Sequence, residues 1–204
     1  MGLMSATTSL TRYKVVGKIK KPVLNTVAAG LKGNMVADID ENPSEQAAGW
    51  ASFQDPFKTD FEGSSFVFGT SFVFSLRVDK KSIPAKMVQK HFSIEAAKRL
   101  KELGRDFFYS NENRAIKDYV INKLNLKMPS TPNLYEVVWQ YEVGDLWFFS
   151  NLKSSNEKLE TLFLKSFGVS LVRSIPYTMA TLNNDLSSEQ LDALNNLSPN
   201  TQHN

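Results

Sequence analysis

The stretch from Phe66 to Val78 constrains the fold of this chain more than any other. Phe66, Phe68, Thr70, Phe72, Phe74, Leu76 and Val78 occupy alternate positions, with Gly69, Ser71, Ser75 and Arg77 opposite them. A side-chain period of two belongs to a β-strand with one face against a core, not to the stripe of a helix. The Phe-rich face reads as core rather than as a platform for stacking bases, because any half-buried strand needs such a face. Gly69 to Ser71 is either a hairpin turn or the middle of one long strand. Such a strand needs partners, and 204 residues, 42% of them apolar, supply one large domain or two small ones.

The partners can be read along the chain. Residues 10–19 alternate as a strand, with Tyr13, Val15, Gly17 and Ile19 on one side and Arg12, Lys14, Val16 and Lys18 on the other. Pro22 suits a first helical turn, Val23, Leu24, Val27, Ala28 and Leu31 make an apolar stripe, and Gly33 closes the helix. Residues 36–62 are acidic and contain Pro43 and Pro56, so irregular structure is expected around one short strand near Trp50. Pro84 to Leu103 reads as a helix broken near Ser93, with Met87, Val88, Phe92, Ala96, Ala97, Leu100 and Leu103 inward and Lys86, Lys90, Lys98, Arg99 and Lys101 outward.

Gly104 ends that helix, and a second one over 113–124 packs through Ile116, Tyr119, Val120 and Leu124. Residues 128–133 form a proline-containing connector. Tyr135, Val137, Trp139 and Tyr141 then alternate into a strand, Gly144 and Asp145 turn, and 146–150 return, making a hairpin. Ser154 and Glu157 have capping-box spacing for a helix to Phe167, followed by a strand over 169–173. The order β-α-β-β-α-α-β-β-α-β predicts an α+β fold, mainly antiparallel sheets with helices on one face. Residues 1–180 form the folded region, with subdomains of about 1–110 and 111–180. Residues 181–204 read as a mobile polar tail with a short helical segment at 187–194.

Catalytic chemistry finds little support. Cysteine is absent, which removes disulfides, thiolate nucleophiles and Cys-ligated metals. His91 sits on a basic helix and His203 in the tail, neither with a partner set, and there is no P-loop, G-x-S-x-G or G-x-G-x-x-G. No enzyme activity and no cofactor is therefore expected. Asp38-Ile-Asp40-Glu-Asn42 opens like a calcium loop, but Pro43 takes the sixth position and Gly49 the twelfth, where Gly and Glu are needed. The alternative is a two-metal nuclease, with Asp38, Asp40, Asp55, Asp60 and Glu62 as ligands. Residues 1–9 lack the order of a signal peptide, and no apolar run is long enough to span a membrane, so a soluble cytoplasmic protein is expected.

Charge is the stronger signal. The net value is only +3, yet residues 1–35 carry six basic and no acidic residues, and 77–127 carry thirteen basic and six acidic. Arg12, Lys14 and Lys18 project from one strand face, and Arg77, Lys80, Lys81, Lys86 and Lys90 follow the Phe strand into a helix. Such arrays contact phosphates without reading bases, and no recognition helix or zinc finger is present. Lys80 and Lys81, beside a proline-started helix, are candidate phosphate ligands. A scaffold that binds protein rather than DNA is a third reading. The aromatic residues of one hairpin, Trp139, Trp147, Phe148 and Phe149, exceed what one sheet face need bury, so a homodimer is expected.

Several motifs resemble the RdgC recombination-associated family, in order over residues 10–180. Leu76-Arg-Val-Asp-Lys-Lys-Ser-Ile-Pro84 is similar to its "K-I-L-P" segment, and Gly49-Trp50 to its "G-W-V-P-P". Gly144-Asp-Leu-Trp, Asn151-Leu-Lys-Ser-Ser-Asn-Glu157 and Phe167-Gly-Val-Ser-Leu171 resemble its "G-L-x-x-V" strand, "A-S-x-x-x-A-E" helix and "L-G-S-L-P" strand. The resemblance implies a DNA-binding protein without strong sequence preference, a nucleoid-associated homodimer that restrains RecA-type strand exchange. It also implies a basic-aromatic "L-P-R-A-F-S-R" loop, whose place is taken by Leu126-Lys-Met-Pro-Ser-Thr-Pro132, lacking the aromatic and most of the charge.

Overall fold

The alternation at the start of the chain does form a strand, β1 (Thr11–Val16), and the apolar stripe after Pro22 forms α1 (Val23–Gly33). There follow β2 (Gln46–Ala51), β3 (Val67–Phe68), β4 (Ser71–Lys80), α2 (Ala85–Leu103), α3 (Ser110–Asn125), β5 (Thr131–Gln140), β6 (Asp145–Phe148), α4 (Lys153–Phe167), β7 (Ser170–Arg173), α5 (Pro176–Leu182) and α6 (Ser188–Asn195). This computed structural model describes residues 2–58, 60–63, 65–182 and 186–196. The fold is α+β. Its strands hydrogen-bond in the order β2-β4-β5-β6-β1-β7, with β3 on β4, and pair antiparallel. No helix among the described residues is long and apolar enough to cross a membrane.

Two compact units emerge, and neither is continuous in sequence. One comprises Met1–Gly33, Phe61–Phe74 and Tyr135–Asn204, the other Asn34–Asp60 and Ser75–Leu134. Of the four points at which the chain passes between units, two fall inside β4 and β5. At these two the chain passes along an uninterrupted strand, which no shift in composition marks.

The first unit is organised around aromatic rings. Turning at Gly69–Thr70, the Phe stripe is a hairpin, with Val67 opposite Phe72. Phe66, Phe72 and Phe74 are buried, while Phe68 at the turn is 38% exposed. Phe72 meets Trp139 edge-on with ring centroids 5.6 Å apart, and Trp139 packs on Phe163 at 4.9 Å and on Phe167 at 5.3 Å. Edge-to-face pairs of this kind add to simple area burial. Helix α4 delivers Leu159, Phe163 and Phe167 at helical spacing. Gly30 lets α1 approach α4: a Cβ there would lie 2.6 Å from the Ser166 carbonyl oxygen. Trp139, Phe148 and Phe149 are all buried and Trp147 is half-buried, so the aromatic surplus on which the homodimer expectation rests is absorbed within the chain.

The start of α4 departs from the sequence reading. Ser154 and Glu157 form no capping box; the helix begins two residues earlier and Leu152 stands at its N-cap without a side-chain bond. The Ser150 hydroxyl instead accepts the Leu152 N–H at 3.2 Å, and the buried Asn156 amide donates to the carbonyls of Leu152 and Ser150.

In the second unit, β2 pairs with β4, setting Trp50 opposite Leu76. Gly49 allows the 34–36 segment to cross at close range: a Cβ there would fall 2.3 Å from the Val36 nitrogen. Helix α2 is continuous through Ser93, and its inward residues are only partly covered: none of its nineteen residues is buried. Helix α3 buries Ile116, Val120 and Leu124 as its spacing predicts, whereas Tyr119, also expected inward, is exposed. Strand β5 begins at Thr131, inside the expected connector. The helical segment expected at 187–194 is α6. The rest of the expected mobile tail includes 183–185 and 197–204, which lie outside the described residues, as does His203.

Candidate nucleic-acid interface

Eight cations were singled out by sequence, and their surroundings divide them. In the first unit, Arg12 and Lys18 are exposed and make no ion pair among the described residues. Lys14 is held: its ammonium lies 2.9 Å from Asp145 Oδ1 and donates to the Val143 carbonyl at 2.7 Å. The partner is Asp145 because β1 and β6 place the two residues directly opposite.

In the second unit, Arg77 is also held. Its Nε and Nη2 grip the buried Asp79 carboxylate at 2.7 and 2.6 Å, Nη1 donates to the Pro56 carbonyl, and the guanidinium lies over the Phe57 ring. Such a bidentate, stacked arginine has little donor capacity left for a phosphate.

Lys81 is the clearest correction. It is 4% exposed, and its ammonium donates to the carbonyls of Asn125 at 2.6 Å, Asn42 at 2.7 Å and Asp40 at 3.1 Å. All three donors are thereby satisfied. The segment that imitates a calcium loop thus turns two of its carbonyls toward a tethered ammonium, so Lys81 is a structural pin rather than a phosphate ligand. Lys80, one residue earlier on the opposite face of β4, is exposed.

Three of the five acidic ligands of the nuclease reading, Asp38, Asp40 and Asp55, serve local structure. Asp40 Oδ1 accepts the Ser130 hydroxyl and backbone N–H at 2.7 and 2.8 Å, which hold its carboxyl below the usual range. Asp38 accepts the Asp40 N–H, and Asp55 accepts the N–H groups of Phe57 and Lys58. These are turn bonds of the kind short acids make. Among the described residues no three His, Asp or Glu side chains gather as a metal site.

What remains is the hairpin of α2 and α3. Its acids are largely taken by neighbours: Glu95 by Arg99 at 2.9 Å, Glu102 by Lys98 at 3.9 Å and Glu112 by Arg105 at 3.3 Å. Arg99 also covers the Tyr119 ring, with Lys123 5.8 Å from it. Lys86, Lys90, Lys101, Arg114, Lys117 and Lys127 are exposed and make no ion pair among the described residues. Against them stand only two exposed acids without an ion pair, Asp106 and Asp118. Arg114 and Lys117 are not among the sequence candidates, although their i, i+3 spacing places them together on α3, beside Ile121 on the side that faces the α2–α3 groove. No family model and no curated protein matches this chain.

Proposed function

We propose that this protein binds DNA through phosphate contacts without reading base sequence, and that it acts as an RdgC-like modulator of RecA-type recombination, in the cytoplasm and on the nucleoid. The observation that carries this reading is the set of unpaired cations on the hairpin of α2 and α3. Four members, Lys86, Lys90, Arg114 and Lys117, stand exposed on ordered helices beside carboxylates already neutralised by other cations. Charges so arranged displace condensed counterions from a phosphate backbone, a source of affinity that is blind to sequence. The ordered resemblance to the RdgC family supports the same class of ligand.

A gel-shift titration with several unrelated duplexes at low salt, with and without Mg²⁺, tests it. Every duplex should be retarded at similar protein concentrations and recovered at full length. Absence of any shift contradicts the proposal, and shortened DNA in the Mg²⁺ lanes transfers the protein to the nuclease class.

A further inference from the structure

We infer that the groove between α2 and α3 is a docking site for an acidic amphipathic helix of a partner protein. The groove is open and has a volume of about 720 Å³. Its floor is aliphatic with one ring: Ile83, Val88, Phe92 and Ile121, all half-buried. Arg114 and Lys117 flank the floor on the α3 side, and the amides of Gln89 and Asn113 line it as well. On the α2 side Lys86 and Lys90 are not among the lining residues, so Arg114 and Lys117 are the groove's own cations. No acidic side chain lines the groove.

This chemistry selects the occupant. An apolar trough between two helices accepts the i, i+3, i+4 and i+7 side chains of a third helix, and flanking cations pair with carboxylates on that helix's outer face. A DNA duplex satisfies the cations but has no apolar surface to fill the floor. Unstacked bases need rings to stack on, and the floor supplies one, Phe92. An acidic helix satisfies both parts. The inference extends the DNA reading, because the helix engages two of the cations assigned there to phosphate, Arg114 and Lys117, but peptide docking itself does not depend on it.

The test is fluorescence anisotropy of a labelled synthetic peptide of about 15 residues with Leu at helical anchor positions and Glu elsewhere. A scrambled peptide of the same composition has no apolar face and serves as the control. The ordered peptide should bind about tenfold or more tightly than the scrambled one. Val88→Ser with Ile121→Ser removes apolar floor while keeping every cation. It should weaken ordered-peptide binding by about tenfold or more, with duplex-DNA affinity and helical circular dichroism unchanged. Equal binding of the two peptides, or no effect of the double substitution, overturns the inference. So does a single-stranded oligo-dT that outcompetes the ordered peptide and loses affinity in the same variant, because the groove then takes bases. If no duplex is bound while the ordered peptide is, the DNA reading fails and this one stands.

Discussion

An ammonium group at 4% exposure is tolerated only when its donors are matched, and Lys81 meets that condition with three backbone carbonyls. Lys81→Met keeps the length of the side chain and leaves those carbonyls without their partner. It should cost about 2–4 kcal/mol in urea unfolding, whereas Lys80→Met should stay within about 0.5 kcal/mol; similar costs for the two would contradict the pin. Tyr13 makes a second residue-scale prediction. Its phenol lies 2.6 Å from Asn156 Oδ1 and 2.8 Å from Glu160 Oε1, and burial, then the hydrogen bond to Glu160, raise its pKa above the ordinary value near 10. The folded protein keeps a proton that the unfolded chain releases, so this group's contribution to stability falls as pH rises above about 10. Tyr13→Phe should be destabilised by about 1–2 kcal/mol at neutral pH, and its deficit relative to the parent should shrink above about pH 10. A deficit that stays constant or grows there would place the ionisation elsewhere. Sequence showed Lys81 and Tyr13 as a surface cation and a core aromatic. It hid their partners because Asn125 and Asn156 lie far along the chain.

At the scale of elements, legibility follows how local the cause is. The Phe66–Val78 alternation, the α1 stripe and the α3 stripe are set by neighbouring residues, and most of each is covered, with Phe68, Leu24 and Tyr119 as exposed exceptions. Strand β4 also buries Val73 and Ser75, so both of its faces are covered there, which a one-faced pattern does not announce. At the α4 N-terminus Ser154 has the spacing of a cap, while Ser150 and Asn156 have the geometry. Ser154→Ala should accordingly change stability by less than about 0.5 kcal/mol, and Asn156→Ala should cost about 1–3 kcal/mol by removing the side-chain hydrogen bonds to Ser150, Leu152 and Tyr13. Thermal or urea unfolding of the two variants separates these expectations, and the reverse ranking would restore the capping box. For the α2–α3 hairpin, sequence located the basic residues, but which were free depended on i, i+4 pairs and on Arg105 meeting Glu112 across the connector.

For the whole molecule, the α+β class and antiparallel pairing follow from the element pattern, whereas the two units interleave in sequence and no linear boundary reveals them. The interface is legible in part for the same reason. The sequence cations Arg12 and Lys18 belong to one unit and Lys80, Lys86 and Lys90 to the other, and the second unit adds Arg114 and Lys117 through the fold of its hairpin. The central claim is that these hairpin cations meet phosphate without reading bases. The most direct test measures affinity for unrelated labelled duplexes across a salt series, for the parent and for a variant with Lys86, Lys90, Arg114 and Lys117 all changed to Gln. The expected result is a log K versus log salt slope shallower by about 0.9 per lost contact, or about 3–4 in all, to the same extent on every duplex. An unchanged slope in a folded variant, or a loss confined to one duplex, would contradict it.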